Sequence, residues 1–156
     1  AFSAGADLAD GVPVLVQQQI DEEYKPVLMA ISEAPKPFIS AVNGAAAGIG
    51  SSFAMACDLT VMAGNAYIYQ AFMAIALVPD GGATWHLVRQ LGRKRAKKAP
   101  LALRYSKEAL NRAMQLDLAD TISYEARLQN ITFVSEDTRE GVQAFFEKRP
   151  PVFTGR

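Results

Sequence analysis

Apolar residues at Val16, Ile20, Tyr24, Val27, Leu28 and Ile31 recur in three- and four-residue steps, the spacing of one helix face. Pro26 is expected to kink that helix, and Ala34-Pro35-Lys36-Pro37 to stop it and hand the chain on extended. The period then changes. Phe38-Ile39-Ser40-Ala41-Val42, closed by Asn43-Gly44, predicts a buried strand entering a turn; Leu59 to Ala63 predicts a second buried strand, and Ala66 to Tyr69 a third. Between the first two lies Gly48-Ile49-Gly50, where the backbone can approach a ligand closely. Ser51-Ser52 is placed to cap a small-residue helix from Phe53 to Cys57. The first amides of such a helix point unpaired into the turn, a setting that attracts anions or developing negative charge. Strand, helix, strand, strand predicts a layered α/β domain.

The second half reads as helical. Leu77-Val78-Pro79-Asp80-Gly81-Gly82 has loop composition, and a helix from Ala83 to about Arg93 follows, with Leu87, Val88 and Leu91 as its apolar face. Ser106 is expected to cap a helix to about Leu116, Asp120 or Thr121 one towards Phe133, and Asp137-Thr138-Arg139-Glu140, with capping-box spacing, one that ends before Pro150-Pro151. Five cations crowd Arg93 to Lys98 without acidic partners, which is uncomfortable in one unbroken helix.

Half of the 156 residues are apolar, enough for a sizeable core, and sixteen basic side chains balance sixteen acidic ones. That balance argues against nucleic acid or an anionic membrane as partner, so an anionic ligand must be met locally. Cys57, the one cysteine, has no intramolecular disulfide partner and suits apolar packing. No apolar run approaches bilayer length and the N-terminus lacks signal-peptide character, so the cytoplasm is the expected location. His86 has no Ser, Cys or second ligand at a recognisable spacing, which assigns it to packing or surface; no metal site is expected.

Asn43 to Gly50 also has the glycine spacing of a dinucleotide loop. That reading fails for want of an acidic residue about twenty positions on, since Asp58 comes too early and Asp80 too late. Four ordered segments carry a different resemblance: Ala1 to Leu8, Phe38 to Asp58, Phe72 to Gly92 and Ser135 to Arg149. Together they resemble the enoyl-CoA hydratase/isomerase family, the crotonase superfamily, and most of all its isomerase type from phenylacetate degradation.

The resemblance implies an α/β crotonase-like spiral of β-β-α units over residues 1–98 and a helical region, 99–156, that mediates trimerisation into trimers or dimers of trimers. It also implies that strands are missing before Ala1 and a segment between Ala96 and Lys97. Its substrates are thioesters of coenzyme A, with no prosthetic group. The backbone amides of Ala6 and Ile49 fall at the family's oxyanion hole, Ile49 standing where glycine is usual. The two hydratase glutamates fall on Ser52 and Phe72, neither of which transfers protons as a carboxylate does. Asp80 falls where the isomerases keep one catalytic acid. Ala4, Asp7, Phe133 and Lys148 are the positions implied to border coenzyme A, with Lys148 reaching the nucleotide phosphates, often those bound to an adjacent subunit. The implied reaction is a Δ3,Δ2 double-bond shift. Hydratase or other crotonase chemistry, and a catalytically idle acyl-CoA-binding relative, are the alternatives.

Overall fold

The computed structural model describes residues 1–8, 16–91 and 100–156. The basic run from Arg93 to Lys98 and the expected seam between Ala96 and Lys97 lie outside them.

The first apolar stripe forms one helical path with a change of winding: α1 (Val16–Gln19), a π-helical turn (Ile20–Tyr24) and α2 (Lys25–Ser32). The Lys25 N–H donates to the Ile20 carbonyl, and Pro26, which has no N–H to give, sits at the start of the next turn. The disturbance expected of Pro26 is thus a widened turn just ahead of it. Val16, Ile20 and Leu28 are buried, whereas Val27 faces outward at 49 % exposure.

The strands stack as successive turns of a spiral. β1 (Ile39–Val42) turns at Asn43-Gly44 into β2 (Ala45–Ala47), α3 (Ile49–Ala56) crosses back, and β3 (Leu59–Met62) and β4 (Tyr67–Tyr69) repeat the pair. β1 pairs in parallel with β3, Ile39 opposite Leu59, and β2 with β4, Ala45 opposite Tyr67. β2 is an element the apolar pattern does not reveal, because three alanines carry no strand signature. β3 corrects the expectation of a buried strand: all four of its residues are exposed, since no described layer covers it.

α4 (Ala83–Leu91), α5 (Pro100–Arg112), α6 (Leu118–Phe133) and α7 (Glu136–Glu147) follow a 3-10 turn at Ala71–Ile75 and the loop 76–82. α4 buries Ala83, Thr84, His86 and Val88, while Leu91 is 52 % exposed, so its inner face is rotated from the expected leucine stripe. The caps also differ. Asp117 caps α6 by accepting from the Asp120 N–H, and Ser135 caps α7 by accepting from the Thr138 N–H. Ser106 lies inside α5, and Asp137 accepts instead from the Thr154 and Gly155 amides, tying down the C-terminal tail. The main core forms where the first helical path meets α3 and α6, around Ile20, Leu28, Ile49, Leu118, Ile122 and Ala126.

Candidate active site

The site begins with two chain reversals brought back to back. The Ser3 N–H donates to the Ala45 carbonyl at 3.1 Å and the Ala47 N–H to the Ser3 carbonyl at 2.9 Å, laying the first segment beside β2. Gly5 (φ 97°) and Gly48 (φ 53°) then turn through backbone angles that side chains disfavour. They nearly touch, because a Cβ on Gly5 would stand 3.7 Å from the Gly48 Cα and 3.1 Å from the Ala47 carbonyl oxygen. The next residue on each strand of this junction, Ala6 and Ile49, borders the same cavity, of about 420 Å³. Ile49 is the first residue of α3, where an N–H has no intrahelical acceptor, and neither amide donates to another described backbone carbonyl.

The expected caps of α3 do other work. Ser51 Oγ donates to the Gly48 carbonyl at 2.6 Å, and Ser52 Oγ donates to the Asp80 carbonyl at 2.7 Å. Gly48 stands at the cap position with no side-chain cap bond, and the helix starts four residues earlier than the serines suggest. Ser52 therefore fastens the loop that carries Asp80.

Asp80 borders the cavity and is 5 % exposed. Its Oδ2 accepts from Gln129 Nε2 at 3.0 Å, while Oδ1 is buried without a partner among the described residues. Burial pushes its carboxyl up to about 7, against the pull of the Gln129 amide. Tyr24 lines the same cavity, and its hydroxyl is raised above the ordinary tyrosine value by burial first and then by the charges of Asp80 and Glu23. The walls are mostly apolar, including Ile20, Phe72, Leu77 and Phe133.

A second buried carboxylate supports the loop from behind. Glu125, fully buried on α6, accepts from the Gly82 N–H at 2.6 Å, the Thr84 N–H at 2.8 Å and the Thr84 hydroxyl, and so satisfies the opening amides of α4. Burial pushes Glu125 up to about 8, with the Thr84 and Gly82 donors opposing it. His86, buried in the same helix, is lowered to about 4 by burial and the nearby Arg89 charge, so it is neutral at neutral pH.

Of the residues singled out from the sequence, Ala4, Ala6, Asp7, Ile49, Asp80 and Phe133 line the one cavity, and Phe72 forms part of its wall. Lys148 is exposed in a left-handed conformation at the end of α7 and is not among the lining residues. Gln129, Glu125 and Tyr24 were not anticipated as site residues. Glu125 and Gln129 share the buried side of α6 with Leu118, Ile122 and Ala126, but Thr121 and Thr132 are buried there too, so a polar residue on that side does not by itself mark the site. Among the described residues no group of three or more His, Cys, Asp or Glu is placed to hold a metal, and no helix is long and apolar enough to cross a membrane.

The stacked strand pairs, with helices packed around them, define a crotonase-like fold. The chain belongs to the enoyl-CoA hydratase/isomerase family, whose model matches residues 1–102 and 96–156. It is 37 % identical over 200 residues to a probable enoyl-CoA hydratase of Rhodobacter capsulatus, covering 100 % of this chain and 78 % of that protein. It is 30 % identical over 203 residues to the 1,2-epoxyphenylacetyl-CoA isomerase of Escherichia coli, covering 99 % of this chain and 78 % of the relative. Among solved structures, an enoyl-CoA hydratase from Mycobacterium avium subsp. paratuberculosis superposes with a TM-score of 0.64 at 26 % identity, over 88 % of this chain and 73 % of that one. An enoyl-CoA hydratase/isomerase from Pseudoalteromonas atlantica gives a TM-score of 0.70 at 24 % identity, over 97 % and 77 %. The family acts on acyl-CoA thioesters, and enzyme chemistry of that kind is what the fold carries.

Proposed function

We propose that the protein shifts a double bond in an enoyl-CoA thioester, from the 3- to the 2-position, by a proton relay through Asp80. The observation that carries the reading is the buried carboxylate of Asp80 on the cavity wall, the single one there among the described residues, with one oxygen unpartnered among them. The thioester carbonyl oxygen accepts from the Ala6 and Ile49 amides. Asp80, ionised, takes a proton from C2; the electron pair left behind spreads over the oxygen and C4 as a dienolate held by the two amides. Asp80 then returns the same proton to C4, and the double bond comes to lie between C2 and C3. No atom or electron is gained or lost, so no cofactor is required. A carboxyl raised to about 7 suits this task, because it is partly ionised at neutral pH and basic enough to take the proton.

In this reading coenzyme A passes Ala4, Asp7 and Phe133, which border the cavity. Lys148, outside the cavity, reaches nucleotide phosphates bound to a neighbouring copy in a trimer. The name of the R. capsulatus relative favours hydration as the second reading. Water addition, though, calls on two carboxylates, and the matching positions hold Ser52, whose hydroxyl is spent on the Asp80 carbonyl, and Phe72, which is buried.

The test is a paired assay of the full-length protein on 3-enoyl-CoA and 2-enoyl-CoA. Isomerisation of the first is expected, with Asp80→Asn losing about 10²–10⁴-fold in kcat. An Asp80→Asn variant as fast as wild type would sink the assignment, and rapid hydration of the 2-enoyl thioester would transfer it to the hydratase reading.

A further inference from the structure

Gln129 stands 49 residues beyond Asp80 in the chain, yet the two side chains meet in the core at 3.0 Å. The orientation of the Gln129 amide is fixed by its other end. The Val78 N–H, which can only donate, points at Gln129 Oε1 at 2.9 Å, so Nε2 is the group that faces Asp80 Oδ2. An N–H aimed at Oδ2 favours the proton-free state of that oxygen, the better acceptor of the two. The proton that Asp80 carries is therefore favoured on Oδ1, the oxygen with no partner among the described residues.

Resting on the isomerase reading above, we infer that Gln129 is the positioning residue of the proton relay. It holds Asp80 by Oδ2 and reserves Oδ1 as the one oxygen that takes and returns the substrate proton. The same amide fixes the loop through Val78, so the carboxylate is held at both its backbone and its side chain. One turn earlier on α6, Glu125 fastens Gly82 and Thr84, so both ends of the Asp80 loop are tied to a single helix. A double-bond shift needs this more than a simple proton abstraction does, because one oxygen must serve two carbons in turn without the carboxylate rotating out of reach.

Gln129 is also the group that opposes burial at Asp80, the sole influence lowering its carboxyl. Among the described residues, the other titratable groups around Asp80 are Tyr24, on the first helical path, and Glu125, on α6, which both feel its charge; Asp7 borders the same cavity. None of them is cationic. Removing the Gln129 amide therefore raises the pH at which Asp80 ionises.

The experiment compares wild type, Gln129→Leu, Gln129→Glu and Asp80→Asn, measuring kcat and KM for 3-enoyl-CoA across pH and titrating the Asp80 carboxyl of the ligand-free protein by carbon NMR. Gln129→Glu keeps an acceptor for Val78 and exchanges the fixed N–H donor for a carboxyl that shares a proton with Asp80 and raises its titration, so it separates loop support from proton placement. Both Gln129 variants are expected to move the acid limb of the kcat profile, and the Asp80 titration, upward by about one pH unit or more. kcat should fall about tenfold or more at pH 7, with KM little changed. A uniform fall at every pH, with the wild-type Asp80 titration retained, would reduce Gln129 to structural support and overturn the inference. An active Asp80→Asn variant would instead remove the functional reading on which it rests, so the two failures are distinct.

Discussion

At the scale of single residues the chemistry rests on backbone as much as on side chains. In the proposed reaction Ile49 contributes an N–H, while its side chain, 6 % exposed, packs into the main core with Leu28 and Ile122. The bulk that distinguishes it from the glycine usual in the family is thus absorbed by the core. Because Ile49 opens α3, proline is tolerated there without breaking the helix and removes only the amide. Ile49→Pro is expected to lose about 10²–10³-fold in kcat on 3-enoyl-CoA, the typical effect of deleting one oxyanion donor. Ile49→Ala, which keeps the amide, supplies the control for lost packing; equal losses in the two variants would argue against the amide. That Asp80, Ala6 and Ile49 share one cavity wall was legible in the sequence, because each lies in a short local motif of glycines or of Pro-Asp-Gly. Gln129 was not, because its role is set by a contact between distant segments and its neighbours on α6 read as an ordinary amphipathic helix.

At the scale of elements, the strands were legible where β-branched and aromatic residues mark them and lost where alanines do not, as in β2. Burial was misjudged for β3 because composition reports what a strand could pack against, not what lies beside it. Cap positions moved by a few residues wherever two candidate acceptors lay close: Ser135 won over Asp137, which is drawn off by the C-terminal tail. The element that matters most to the site is α6, since its Glu125 supplies the acceptor that α4 lacks within its own chain segment. Glu125→Ala strands the Gly82 and Thr84 amides and the Thr84 hydroxyl in the core, each at about 1–3 kcal/mol. Urea unfolding should register a loss of about 3 kcal/mol or more, with a smaller loss for Glu125→Gln, which retains an acceptor oxygen. A loss below about 1 kcal/mol would mean that water or rearrangement satisfies the start of α4.

At the scale of the whole molecule, the site sets function against stability. The Asp80 carboxyl is pushed from 3.8 to about 7 by folding, so between those pH values the native state holds a proton that the unfolded chain has released. By linkage its contribution is greatest below the lower value, declines as pH rises through the window, and is level above about 7. The full decline is at most about 4 kcal/mol. Asp80→Asn removes this titration while keeping an oxygen to accept from Gln129. The stability of the variant relative to wild type is therefore expected to rise between about pH 4 and pH 7 and to stay level above. Comparing the two proteins cancels the contribution of His86, which acts in the opposite sense as pH falls towards 4; Glu125 is raised by burial first and also by the Asp80 charge, so this coupling adds to the decline of the wild type in the same direction. Urea denaturation at a series of pH values measures the difference directly. A gap that does not vary with pH would show that Asp80 ionises in the fold as readily as in the unfolded chain, and that its burial does not supply the basicity on which the proposed proton relay depends.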